Sequence, residues 1–295
     1  CHPLNHTTDT LTRLFASLQD FCANYTLPII KTEGLEENTA ISPVSLYVTL
    51  AMAAECAGGE TREEILNFLN IDYMTLASNV NSLIKRMNVY YNYTKLTGND
   101  GINSRLILDS SIWLDKKVDF KDDCLNVLAN NYNASSFSVD FYNNNSKANK
   151  LIKAHVKDAT YGLIDKDFQI DYKTIFTLIS ALYLKEVWNE RGDDCALTSN
   201  PIEFTSLNGS KTSKKFLYRD YLTARKLIGE NFTAFFTNTC HGYKIYFILP
   251  DEGVSVENAM TAENIKQTLD YSYNGVDKEN KILYKTNCKF PEYTA

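Results

Sequence analysis

Between residues 42 and 59 the chain reads SPVSLYVTLAMAAECAGG, a stretch with helix signals at both ends and almost no polar face between them. Ser42 is placed to cap a helix by accepting a hydrogen bond from a first-turn N–H. Pro43 follows at the first helical position, where its missing N–H removes nothing. From Leu46 to Ala57 nearly every side chain is apolar or small, and a helix without a polar face is buried all round. Gly58 and Gly59 supply the conformations that end it. Thr61, with Glu64 three residues later, forms a capping box that opens a second helix. The stretch predicts a central, enclosed helix followed by a tight corner.

A chain of 295 residues, 44% hydrophobic with 6 Pro and 12 Gly, can build the large core that such a helix needs. Its net charge of −6 argues against nucleic acid, because phosphate binding needs a basic surface. Lys211, Lys214 and Lys215 are the nearest thing to a basic cluster, in a stretch that reads as a solvated loop. The longest uncharged run, Asn38 to Ala54, has a polar start and a proline and falls short of the ~20 apolar residues of a membrane span.

Seven cysteines, at 1, 22, 56, 124, 195, 240 and 288, are widely spread with no CxxC, which fits neither a zinc ribbon nor a disulfide framework. Cys56 reads as a small apolar residue of the buried helix, and one or two disulfides stay open without an assignable pairing. Cys1 as first residue fits either a lipid-bearing cysteine of bacterial lipoprotein type, with His2–Thr12 as tether, or an arbitrary chain boundary. Seven Asn-x-Ser/Thr sequons start at Asn5, Asn24, Asn92, Asn133, Asn144, Asn208 and Asn231. Roughly four or five are expected by chance in so Asn-rich a chain, so the count decides little.

Hydrophobic spacing predicts an amphipathic helix over 8–30, the enclosed helix, a third over Thr61–Leu69 and a fourth over Val80–Tyr91. A loop at 97–103 precedes a strand at Arg105–Leu114, a helix at Lys121–Tyr132, a short strand at Phe137–Phe141 and a helix at Ser146–Ala159. Thr174–Leu184 (TIFTLISALYL) is almost continuously apolar and β-prone, which predicts a central strand covered on both faces. Strands at Phe216–Ala224, Lys226–Phe236 and Lys244–Leu249, a helix at Ser255–Leu269 and a strand at Ile282–Phe290 follow. Helices early and strands late indicate an α+β fold with a large sheet.

No GxSxG elbow, Walker loop, dinucleotide fingerprint or HExxH occurs. His155 lies on the inward face of its helix and reads as a hydrogen-bonded core residue rather than a base. The adjacent Cys240 and His241 do not by themselves set up nucleophilic catalysis, which needs geometry made by the fold. Asp122/Asp123 and Asp193/Asp194 read as solvated surface. No catalytic residue, metal ligand or cofactor site emerges, and an enzyme using Cys240/His241 is the remote alternative.

With its elements in order, the chain resembles the serpin family over nearly its whole length. Asn38, Ile41, Ser42, Pro43 and Ser45, then Ala51-Met52, are similar to the family's Asn-x-x-(Phe/Ile)-Ser-Pro-x-Ser signature and central helix. Gly58, Gly59, Glu60 and Thr61 resemble its Gly-Glu-Thr corner. Ser180-Ala-Leu-Tyr-Leu-Lys185-Glu-Val-Trp188 resembles Asn-Ala-(Ile/Leu)-Tyr-Phe-Lys-Gly-x-Trp. Residues 247–253 (FILPDEG) resemble its Leu-Pro-x-Glu-Gly turn, and 288–293 (CKFPEY) its Pro-Lys-Phe strand.

The resemblance implies one serpin-like domain over 1–295, with 1–10 as a flexible tether. It implies a large, mostly antiparallel central sheet with additional sheets and about eight helices. It also implies that Ser42, Pro43 and Ser45 lie where two central strands must part, with Asn38, Ser180, Lys185 and Trp188 as further structural positions. Three departures stand out. Ser180 replaces the usual Asn, Glu186 replaces a Gly, and the family's hinge, reactive-centre loop and closing strands have no counterpart before Ala295.

The implied function is suicide inhibition of a serine or cysteine protease by loop insertion, in an extracellular or cell-surface setting. A non-inhibitory binding, chaperone or carrier protein is the alternative. Without the bait loop this chain is expected not to inhibit, and to expose an unpaired strand edge beside Thr174–Leu184 that invites self-association.

Overall fold

In the computed structural model the described residues are 4–33, 39–93, 102–186, 195–197, 200–205, 209–239, 241–274 and 283–291. They cluster into two compact units, Cys1–Cys22 with Ser42–Lys185, and Ala23–Ile41 with Glu186–Ala295. Helix α1 (Leu4–Glu33) contributes its first part to one unit and its remainder to the other. It starts at Leu4, so residues 4–10, expected as tether, are helical.

In the first unit α2 (Pro43–Cys56) is the enclosed helix. Ser42 caps it, its hydroxyl accepting from the Ser45 N–H at 3.2 Å, with Pro43 in the first turn. Tyr47, Val48, Ala51, Met52 and Ala54 are all 0% exposed. Leu46 alone on α2 is exposed. The next helix, α3 (Gly59–Phe68), does not use the expected capping box. It begins two residues earlier, at Gly59 with φ +56, and Gly58 is its cap. Glycine reaches that left-handed conformation without steric cost, so the corner needs no hydroxyl.

Helix α4 (Tyr73–Arg86) starts at Asp72, whose carboxylate accepts from the Thr75 N–H at 2.8 Å. The chain then enters strand β1 (Asn88–Tyr93) rather than continuing as helix to Tyr91. Asn-Val-Tyr-Tyr is β-prone, and pairing with β2 (Ile102–Asp115) decides its state. Helix α5 (Asp122–Tyr132), strand β3 (Ser135–Val139), helix α6 (Phe141–Ala159) and strand β4 (Phe176–Lys185) complete the unit.

Strand β2 is the axis of this sheet. β4 runs antiparallel to it from Arg105/Lys185 to Leu114/Phe176. The antiparallel β1 and the parallel β3 pair with residues 102–107 and 111–115, which β4 also borders, so they share the opposite edge. α6 crosses one face, where Trp113, Val139, Phe141, Ala148, Ile152, Val156 and Ala181 form a core cluster. On the other face Leu108 and Ile112 are 2% and 0% exposed, and α2 is the helix of this layer that packs against β4.

β4 departs from expectation. Only Ala181 is buried, and Ile175, Phe176 and Leu184 at or beside its ends are 55%, 37% and 50% exposed. Among the described residues β4 pairs with β2 alone, the arrangement expected beside Thr174–Leu184, so the departure is only in how little its faces are covered.

The second unit holds an antiparallel sheet in the order β10 (Lys244–Pro250), β9 (Phe232–Asn238), β8 (Phe216–Ile228) and β11 (Leu283–Pro291), with β5 (Cys195–Leu197) also on β8. Strand β8 (Phe216–Ile228) is one strand where two were expected, because the turn into β9 (Phe232–Asn238) comes at Gly229. The Gly229 N–H donates to the Phe232 carbonyl at 2.9 Å. Strand β10 (Lys244–Pro250) runs into the expected Asp251-Glu-Gly turn, closed by Val254 N–H to the Asp251 carbonyl at 2.9 Å.

The helix expected at 255–269 is two, α7 (Val256–Ala259) and α8 (Ala262–Asn274), and β11 (Leu283–Pro291) follows. β6 (Ile202–Thr205) and β7 (Lys211–Lys214) form a hairpin, so two of the three clustered lysines lie on a strand rather than a loop. Lys211 pairs with Glu203 at 2.8 Å.

Candidate functional site

The described residues singled out in the sequence divide between the start of α2 and strand β4, against which α2 packs. At the start of α2 the Ser42 and Ser45 hydroxyls are 2.8 Å apart, and Ser45 is 7% exposed. Their bonds are therefore local to the cap, as the helix-cap reading of these serines requires. In the sheet Ser180 faces Ser110 directly in the β2/β4 register, with the two hydroxyls 3.2 Å apart. That exceeds the usual O–H···O separation. A longer amide arm is what the resemblance leads one to expect at 180; the hydroxyl that stands there reaches only across to β2.

Lys185 ends β4, exposed and opposite Arg105, whose guanidinium lies over the Tyr161 ring at 4.9 Å. Two like charges thus face each other at that end of the strand pair. Asn38, Trp188 and Cys1, the remaining expected positions, lie outside the described residues, as does Cys240.

The opposite face of β2 carries a second polar group. His155 Nε2 lies 2.7 Å from Asp109 Oδ2, and the ring meets Trp113 and Phe137 edge-on. This is the hydrogen-bonded core histidine expected from the sequence. The segment after α6 is clasped to that helix. Asn149 accepts from the Ile170 N–H at 2.9 Å, Asn145 donates to the Ile170 carbonyl at 2.9 Å, and Lys153 pairs with Asp167 at 2.9 Å. A cavity of about 440 Å³ lies between them. Before α6, the backbone N–H groups of Lys117 and Phe141 hold the Asp115 carboxyl below its usual range.

Two groups escaped the sequence reading. Glu55, 8% exposed on α2, accepts from the Tyr73 hydroxyl at 3.0 Å and the Tyr132 hydroxyl at 3.2 Å. Burial first, and then the Glu55 charge, push the Tyr132 hydroxyl well above its ordinary value. Beside it Cys56 is not a lone apolar residue: it is disulfide-bonded to Cys124 on α5. Cys56 is half-buried, and the helix rule that placed it inside was blind to a partner 68 residues on.

Glu186, just after β4, meets His241, whose Nδ1 lies 2.9 Å from Glu186 Oε1. These side chains are only 5% and 13% exposed. Among the described residues no group of three or more His, Cys, Asp or Glu could hold a metal, and no helix is long and apolar enough to cross a membrane.

A buried, capped helix packed on a sheet whose strand β4 pairs with β2 alone among the described residues is an α+β arrangement. The chain belongs to the serpin family: the family described as "Serpin (serine protease inhibitor)" matches residues 16–283. It is 27% identical over 232 residues to Serpin-ZX of Arabidopsis thaliana, covering 76% of this chain and 57% of that protein. It is 30% identical over 154 residues to Iripin-3 of Ixodes ricinus, covering 52% and 38%. The chain spans about half the length of the curated relatives it matches. Its fold matches cleaved kallistatin complexed with heparin at TM-score 0.75 and 20% identity, covering 96% of this chain and 80% of that one. Cleaved human thyroxine-binding globulin matches at TM-score 0.72 and 21% identity, covering 96% and 80%.

Proposed function

We propose that the protein inhibits a serine or cysteine protease extracellularly by taking up a cleaved loop as a new strand beside β4. The observation that carries this is the β4 edge: its backbone pairs with β2 alone among the described residues, while α2 and α6 both pack against the strand. Strand addition there would pair the open backbone groups and cover Ile175, Phe176 and Leu184. Ser42, Ser45 and Ser180 act at the parting line as hydroxyls able to exchange partners, with Pro43 fixing the entry of α2. The same edge supports self-association when no strand occupies it.

The test is incubation of the full-length gene product with a panel of serine and cysteine proteases. An SDS-stable complex of protein and protease supports inhibition. Cleavage of the protein without a trapped protease overturns it. That second outcome favours a carrier or binding role, for which the likeness to thyroxine-binding globulin is the supporting observation.

A further inference from the structure

The sequons are separated by the fold in a way that their number is not. Asn231 is half-buried and its amide is committed, donating to the Asn258 carbonyl at 3.3 Å and accepting from Asn264 Nδ2 at 3.1 Å. Asn24 is exposed but lies within α1, where residues i and i+2 do not face each other. Its Thr26 hydroxyl is therefore not presented to its amide.

Asn133 and Asn144 differ from both. Asn133 is exposed at φ 52, ψ 32, the left-handed residue that ends α5. Asn144 is exposed where α6 kinks, at φ −138, ψ 45. Neither side chain makes a hydrogen bond among the described residues, and the hydroxyl residues two positions on, Ser135 and Ser146, are exposed as well.

A second, independent observation concerns the compartment. The Cys56–Cys124 disulfide forms and persists in an oxidising environment such as the secretory lumen, where asparagine acceptors are used. Cys124 lies on the same helix, α5, that Asn133 ends.

We infer that Asn133 and Asn144 carry N-linked glycans. The donor is a lipid-linked diphospho-oligosaccharide. The asparagine Nδ2 bonds to C1 of the reducing sugar, and the C1–O bond to phosphate breaks with its electron pair leaving on the lipid diphosphate. One amide proton passes to the transferase's base. The two sites bracket β3, the strand that pairs with β2 on the edge away from β4. Glycans there shield the outer edge from strand pairing and leave β4 bare.

The test is site-by-site peptide mapping of the full-length protein secreted from eukaryotic cells, after peptide N-glycosidase treatment in heavy-oxygen water. Heavy-isotope-labelled aspartate at 133 and 144, with none at 231, is expected. Ser135→Ala removes one glycan step on a gel and Ser135→Thr retains it, although both leave the left-handed Asn133 in place. Unmodified Asn133 in the secreted protein overturns the inference, as does an unchanged glycan step in Ser135→Ala. So does a labelled Asn231.

Discussion

Replacing Cys56 and Cys124 together by Ala tests the bond that ties the end of α2 to the start of α5. The cysteines are 68 residues apart, and closing a loop of that size removes chain entropy worth about 4 kcal/mol from the unfolded state. Against a urea dependence of about 3 kcal/mol per molar, this lowers the unfolding midpoint by about 1.3 M. Wild-type protein in reductant should move to the same midpoint as the double variant, since both then lack the same constraint. Intact mass with and without alkylation after reduction counts the thiols independently. The reasoning is refuted if the oxidised wild type, with its disulfide confirmed by mass, unfolds at the same urea concentration as the double variant. It is equally refuted if both cysteines label in the unreduced native protein.

Gly229→Ala would place a Cβ 2.1 Å from Cε1 of the Phe232 ring, which is 0% exposed and has nowhere to retreat. A loss of about 1–3 kcal/mol by denaturant titration is expected, and Phe232→Leu in the same chain should recover part of it. A full-strength Gly229→Ala protein would contradict the packing described here. Alkaline pH should weaken the first unit. Burial pushes the Cys22 thiol up from 9.0 to about 11 and the Tyr47 hydroxyl up from 10.0 to about 12. Both groups favour their neutral form when folded, so their contribution is intact below pH 9.0 and is lost progressively from there toward pH 12 as the unfolded chain ionises first. Cys22→Ala should flatten the fall between pH 9.0 and 10.0; identical slopes in the two proteins would disprove the assignment.

Local signals carried the sequence reading furthest. Ser42 and Pro43 dictate how α2 begins, because cap chemistry involves atoms three residues apart. The core histidine at 155 was legible from helical spacing. What was hidden depends on partners distant along the chain. Cys56 finds Cys124, Glu55 finds Tyr132, and Glu186 finds His241 only after folding. β1 was hidden for a related reason, since its residues follow a helix without a breaker and become a strand only through β2. The continuous apolar run of β4 signalled its place in the sheet but overstated the cover on its faces. That β4 pairs with β2 alone among the described residues was expected from the resemblance, because periodicity reports faces and is silent about edges.

The facing hydroxyls of Ser110 and Ser180 have a mechanical consequence. Each O–H can turn about its own C–O bond to seek another acceptor while the heavy atoms stay where they are. A clasp of that kind imposes almost no barrier of its own. The resistance to separating β2 from β4 then resides in the ten-residue backbone ladder between them.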